Sequence, residues 1–162
     1  MGKKWLDIVY NEKSSIKLKQ HYKSWANDYD QDLIDWGYAY PSQLKKIISQ
    51  DIKLKKSSKI LDAGCGTGLV AEVLGDMNFK NIVGLDYSLD MLKIAKDKKI
   101  YTRLIQESLN KKTSLRSNQF DVVLCTGVLT SGHVGAKAIN ELIRVTKNKG
   151  YLILSIAESI YE

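Results

Sequence analysis

The apolar pattern of this chain divides at about residue 57. Before it lie three helix-like segments, Ser14 to Ala26, a shorter one near Asp28 to Trp36, and Pro41 to Gln50. In the third, Leu44, Ile47 and Ile48 form one apolar face. Pro41 suits its first turn, where a missing N–H costs nothing.

Beyond residue 57 short continuous apolar runs alternate with amphipathic ones. "KILDAG" reads as a buried strand and "LVAEVLGDM" as a helix. "NIVGLD" is the next strand, followed by the helix "SLDMLKIAKDKK", capped by Ser88 or Asp90, with Leu89, Leu92, Ile94 and Ala95 turned inward. "TRLIQESL" and "FDVVLCTG" read as a third and a fourth strand. "AKAINELIRVTK" is an amphipathic helix ended by "NKG", and "YLILSIAES" is a fifth strand. Apolar strands alternating with helices imply a parallel α/β sheet covered on both faces. Right-handed crossovers make it doubly wound, with ligands at the carboxyl ends of the strands. The expectation is a single domain over 1–162, helices in 1–56 forming a lid and 57–162 the α/β core.

Composition narrows the class without naming a chemistry. A length of 162 residues with 44% hydrophobic and 27% charged residues fits one folded domain. No apolar run approaches the roughly 20 residues of a membrane span, and no signal-peptide pattern is visible. Cys65 and Cys125 lack metal-ligand spacing and read as buried reduced thiols, so the expectation is a cytoplasmic protein without a metal. The net charge of +7 raises nucleic acid as a partner, but the excess is scattered lysine with few arginines, which solvated helix faces explain as well.

"ILDAGCGTGL" carries the most chemistry. Gly64, Gly66 and Gly68 follow a strand and open a helix, where glycine permits positive φ and lets a ligand touch the backbone. Asp86 ends the next strand, 20 residues after Gly66, a position suited to a ribose diol. A tight strand–helix turn with an incidental Asp is the plain alternative. In a dinucleotide site the loop cradles a pyrophosphate, yet here the third glycine comes one residue early and Asp62 stands just before the loop. A carboxylate there repels a pyrophosphate and suits an ammonium group, which favours S-adenosylmethionine. No P-loop pattern exists.

These residues resemble a known family. "ILDAGCGTG" with "GLDYS" resembles the class I S-adenosylmethionine-dependent methyltransferases. "HYKSWANDYDQDL", "GLDYSLDML", "FDVVLCTGVLTSGHV" and "AINELIRVTKNKGYLIL" are similar to the Williams–Beuren syndrome methyltransferase-like subgroup, over about residues 20 to 158. The resemblance implies a Rossmann-like sheet with five strands in order 3-2-1-4-5. It implies that Gly64, Cys65 and Gly66 lie along the methionyl and ribose part of S-adenosylmethionine, with Asp62 near its amino group. Asp86 would bind the ribose hydroxyls, and Tyr87, with Ser88 and Met91 beside it, would pack on the adenine. Ser108 and Leu109 would meet the adenine edge, Cys125, Thr126 and Gly127 would floor the pocket, and Tyr22 and Tyr29 would close over the methionyl end. The product would be S-adenosylhomocysteine. Family members usually continue past the fifth strand, whereas this sequence stops at Glu162. An open sheet edge there makes a homodimer an expectation.

Tyr22, Trp25 and Tyr29 share one helical face and are either core or site; the resemblance favours the site for the two tyrosines. Trp25, Trp36, Tyr40 and His133 are candidates for the acceptor pocket, aromatic walls suiting a sulfonium or a flat acceptor. His133 is either the general base or a polar residue at a helix start. With Pro41 as the only proline, neither the Asp/Asn-Pro-Pro motif nor the Pro-Cys nucleophile of nucleic-acid methyltransferases can exist. A small-molecule acceptor is therefore expected. A nucleic-acid or protein methyltransferase using the basic surface, and a cofactor-binding module without turnover, stand as alternatives.

Overall fold

The computed structural model describes residues 8, 9, 12, 14–129 and 137–156. Three helices come first, α1 (Ser15–Trp25), α2 (Tyr29–Asp35) and α3 (Tyr40–Gln50). They are followed by β1 (Ile60–Ala63), α4 (Leu69–Asp76), β2 (Ile82–Asp86), α5 (Leu89–Asp97), β3 (Arg103–Gln106), β4 (Phe120–Leu129), α6 (Lys137–Val145) and β5 (Thr146–Ile156). The strands form one sheet in the order β3-β2-β1-β4-β5, and every neighbouring pair is parallel. This is the Rossmann-like order 3-2-1-4-5 that the resemblance implies.

Period-two alternation inside fully buried strands sorts the core into two layers. Ile60, Ile82, Val122 and Leu124 point to one face, under Leu44 and Ile48 of α3, Val70, Ala71 and Leu74 of α4, and Phe79. Leu61, Ala63, Val83, Leu85, Val123 and Cys125 point to the other, against Ala138, Leu142 and Val145 of α6. A third, aromatic cluster joins Val9, Trp25 and Leu33 to Tyr22, Tyr29, Trp36, Tyr38 and Leu69. Through Leu69 it seats α1 and α2 over the start of α4, beside the carboxyl ends of the strands.

Two local readings are corrected. Leu89 is 47% exposed, because Ser88 caps α5 and the inward positions are Met91, Leu92 and Ala95. The "TKNKG" stretch does not extend the preceding helix. α6 stops at Val145, and β5 starts at Thr146 opposite Phe120, with a register shift before Val122 pairs Tyr151.

Candidate active site

The loop from β1 to α4 is shaped by its glycines. Gly64, Gly66 and Gly68 have φ of 77°, 53° and 95°, a region that side chains resist. A Cβ on Gly64 would also stand 2.2 Å from Val128 Cγ2, so this position excludes larger residues twice over. The N–H groups of Gly64 and Cys65 donate to the Leu85 carbonyl at 2.7 and 3.0 Å. Gly66 N–H donates to Asp86 Oδ2 at 2.9 Å, and Ser88 N–H donates to Oδ1 at 2.8 Å. Asp86 therefore staples the glycine loop to the tip of β2. Burial raises its carboxyl above the ordinary range, against the lowering effect of the Ser88, Gly66 and Tyr87 amides.

Asp62 is 2% exposed at the carboxyl end of β1. Burial pushes its carboxyl up to about 7; the Tyr101 hydroxyl pulls it down and the charge of Asp86 adds to the rise. Tyr101, in the segment between α5 and β3, donates to Asp62 Oδ2 at 2.7 Å. Gly84 lets it pass, since a Cβ there would lie 2.8 Å from the Tyr101 ring and 3.0 Å from Cys65 Sγ. The Cys65 thiol is pushed well up by burial, with Asp62 and Asp86 adding to it, and stays a neutral wall group.

These groups face one cavity of about 320 Å³. The glycine loop contributes Gly64, Cys65 and Gly66; the tip of β2 and the start of α5 contribute Asp86, Tyr87, Ser88 and Met91. Asp62, Ser108, Leu109, Thr126 and Gly127 complete the sheet side, and Tyr22 and Tyr29 cover it from α1 and α2. Cys125 is not on this wall. It is wholly buried in the layer under α6, because its strand position alternates away from the cavity, and burial pushes its thiol up to about 12. Trp25, Trp36 and Tyr40 lie on a neighbouring cavity of about 230 Å³. Trp25 is 1% exposed, and its indole N–H donates to Asp32 Oδ2 at 2.8 Å. His133 falls outside the described residues.

Several residues of the site escape a reading of the sequence. Thr67 lines the cavity and donates its hydroxyl to Asp30 of α2. Asp30 also accepts from Lys98 Nζ at 2.6 Å, and Lys98 lies 3.1 Å from Glu72 of α4. Lys98 caps the end of α5 and Tyr101 follows it before β3, both distant from the loop in sequence, and no local pattern announces them. Leu33 and Tyr38 share the aromatic cover, and Glu107, Asn110 and Val128 the sheet side. Thr67 alone had a signal, as a hydroxyl within the glycine run.

The wall fits an adenosine carrying an amino acid. Asp62 is a buried carboxylate suited to an ammonium, and Asp86 keeps lone pairs beyond the backbone amides it accepts from. The Tyr87 hydroxyl is buried with no hydrogen-bond partner among the described residues, an orphan that a bound polar group would satisfy. Among the described residues no cluster of His, Cys, Asp and Glu could hold a metal ion, and no helix is long and apolar enough to cross a membrane.

Comparison with known proteins agrees with this geometry. A family model described as a methyltransferase domain matches residues 61–154. Human methyltransferase-like protein 27 is 38% identical over 136 residues, 83% of this chain and 55% of its own length. The mitochondrial ubiquinone biosynthesis O-methyltransferase of Saccharomyces cerevisiae is 25% identical over 118 residues, 70% of this chain and 38% of its own. A solved SAM-dependent methyltransferase from Thermotoga maritima superposes with a TM-score of 0.64 at 23% identity, covering 82% of this chain and 58% of that one, a likeness of fold. The chain spans about half the length of curated relatives it matches, 55% and 56% in two cases.

Proposed function

The chain belongs to the methyltransferase-domain family, and from that membership we propose that it is an S-adenosylmethionine-dependent methyltransferase acting on a small-molecule acceptor. The observation that carries the proposal is the single cavity onto which the glycine loop, two buried carboxylates and the aromatic cover converge. S-adenosylmethionine, when bound, supplies a methyl group made electrophilic by its sulfonium. The residues of this chain hold and orient. Asp62 takes the ammonium, Asp86 the ribose hydroxyls, and Tyr87, Ser108 and Leu109 the adenine side. Tyr22 and Tyr29 of that cover line the same cavity, and methyl transfer needs little beyond positioning. A small acceptor is supported by the confined cavities and by the yeast O-methyltransferase among the relatives.

The test is calorimetric titration with S-adenosylmethionine and S-adenosylhomocysteine, then release of S-adenosylhomocysteine against a metabolite panel. Binding is expected on the order of micromolar, as for typical enzyme ligands. NAD⁺ binding in place of both compounds would overturn the reading.

A further inference from the structure

We propose that the neighbouring aromatic cavity is the acceptor pocket and takes an uncharged planar aromatic ring bearing the nucleophilic heteroatom. This rests on the donor-site assignment above. Tyr22, Tyr29, Leu33, Tyr38 and Gly127 lie on the walls of both cavities, so the two adjoin. Of these, Gly127 is the one supplied by the sheet, and the Tyr38 hydroxyl stands against it, 3.0 Å from where a Cβ on Gly127 would lie. An in-line displacement needs the nucleophile in direct contact with the methyl carbon, so an acceptor ring in the second cavity reaches the donor's site past the Tyr38 hydroxyl at Gly127.

The wall chemistry selects the occupant. Six aromatic rings, Trp25, Trp36, Tyr22, Tyr29, Tyr38 and Tyr40, surround a space of about 230 Å³. Several meet at an angle, Trp25 with Tyr29 at 4.5 Å and Tyr38 with Tyr40 at 4.9 Å between centroids. Such tilted rings accept a further flat ring by stacking or edge contact. None of the described wall residues is charged, and the adjacent Asp32 already accepts from Trp25. A carboxylate or phosphate acceptor would lose its hydration without gaining a counter-charge from the described wall. A protonated amine would be drawn to the rings, yet it has no lone pair to attack with. A neutral ring with a hydroxyl or ring amine meets both demands. Its heteroatom gives a lone pair to the methyl carbon, the C–S bond pair returns to sulfur, and the heteroatom's proton passes to water.

The test uses the whole chain, with and without S-adenosylhomocysteine, and three probes of one shape. These are 2-naphthol, its carboxylate counterpart 2-naphthoate, and the saturated, non-planar decahydro-2-naphthol. Calorimetry is expected to rank 2-naphthol at least about tenfold tighter than the other two. Trp36→Leu and Tyr40→Leu should each weaken 2-naphthol about tenfold while S-adenosylhomocysteine affinity stays within about twofold. With S-adenosylmethionine, mass spectrometry should find 2-naphthol gaining one methyl group. Equal binding of 2-naphthoate or decahydro-2-naphthol overturns the proposal, as does 2-naphthol binding untouched by both substitutions. So does methylation of charged acceptors while 2-naphthol stays unmodified. Failure of the donor assignment reads differently, as loss of S-adenosylhomocysteine binding whatever 2-naphthol does.

Discussion

At the scale of single residues, Asp62 decides how the donor site responds to pH. Burial pushes its carboxyl up to about 7, and the Tyr101 hydroxyl, a neutral donor, pulls against that rise. An ammonium ligand prefers the ionised form, so affinity for S-adenosylmethionine should fall about tenfold between pH 8 and pH 6, as one proton is taken up. Asp62→Asn should abolish that pH step and weaken binding at pH 8 by roughly thirtyfold or more. Calorimetry across pH checks both. Stability responds in the opposite sense to an ordinary acid. A carboxyl whose folded value is raised from 3.8 to about 7 favours the fold while it is protonated. That contribution is complete below the unfolded value and is lost as pH rises through the folded one. The ligand-free protein should therefore lose Tm between about pH 4 and pH 7, and Asp62→Asn should flatten the curve. Tyr101→Phe removes the hydroxyl and leaves the ring. A hydrogen bond to a charged group contributes about 1.5–3 kcal/mol, so the midpoint of the binding profile should move up by about one pH unit or more. A profile unmoved by this change would detach Tyr101 from the site.

At the scale of elements, two stitches hold the cavity's walls, and neither is local in sequence. Asp30 on α2 accepts from Thr67 in the glycine loop and from Lys98 after α5, so one carboxylate ties the aromatic cover to the loop. Asp30→Ala should weaken S-adenosylhomocysteine binding about tenfold and speed hydrogen exchange in α1 and α2, a measurable loosening of a locally opening unit. Unchanged exchange in those helices would count against the tie. The second stitch is Glu141 on α6, which accepts from the backbone and hydroxyl of Thr113 at 2.8 and 2.6 Å and from Arg144 at 2.6 Å. Arg144 in turn donates to the Leu115 carbonyl at 2.8 Å. The loop carrying Ser108 and Leu109 is thereby pinned to α6. Hydrogen bonds from Arg144, and then from Thr113, hold the Glu141 carboxyl down at about 2. A depressed carboxyl stabilises the fold above its unfolded value, and the gain is lost as pH falls from about 4.5 toward 2. Glu141→Gln should lower Tm at pH 7 by several degrees, on the order of 2 kcal/mol, and lose that acid-dependent part.

This division between local and distant explains what the sequence makes legible. Strand and helix identities follow from runs and periods, and the strand order follows from the family resemblance. The glycine loop and Asp86 are readable because their spacing lies within one β–α–β unit. Asp30, Lys98 and Tyr101 are not, because each reaches its partner across 37 to 68 positions of sequence. Cys125 shows the complementary limit. Its place at a strand tip is readable, but which face it takes depends on a register that one sequence does not reveal.

For the whole molecule, the question is whether a charge of +7 is a nucleic-acid footprint. Some of the described cations are paired within the fold. Lys98 bridges Asp30 and Glu72, Arg144 meets Glu141, Lys147 meets Asp121 and Lys93 meets Asp90. These pairs tie elements together or sit within a helix, but each cancels a cation against an anion, so the net excess rests on other residues and experiment decides its role. The proposed acceptor pocket has no described cation on its wall. If the acceptor is a small neutral ring, the rate of S-adenosylhomocysteine release should change less than about twofold between 50 and 200 mM salt, because no counterions are released on binding. A nucleic-acid acceptor held by even six phosphate contacts would instead lose about a thousandfold in affinity over that range. Exposed lysines still bind polyanions weakly, so competition separates the two cases better than binding does. Excess RNA should leave turnover of the small acceptor unchanged. Inhibition by RNA that disappears at 200 mM salt would place a polyanion across the mouth of the site and overturn the small-molecule reading.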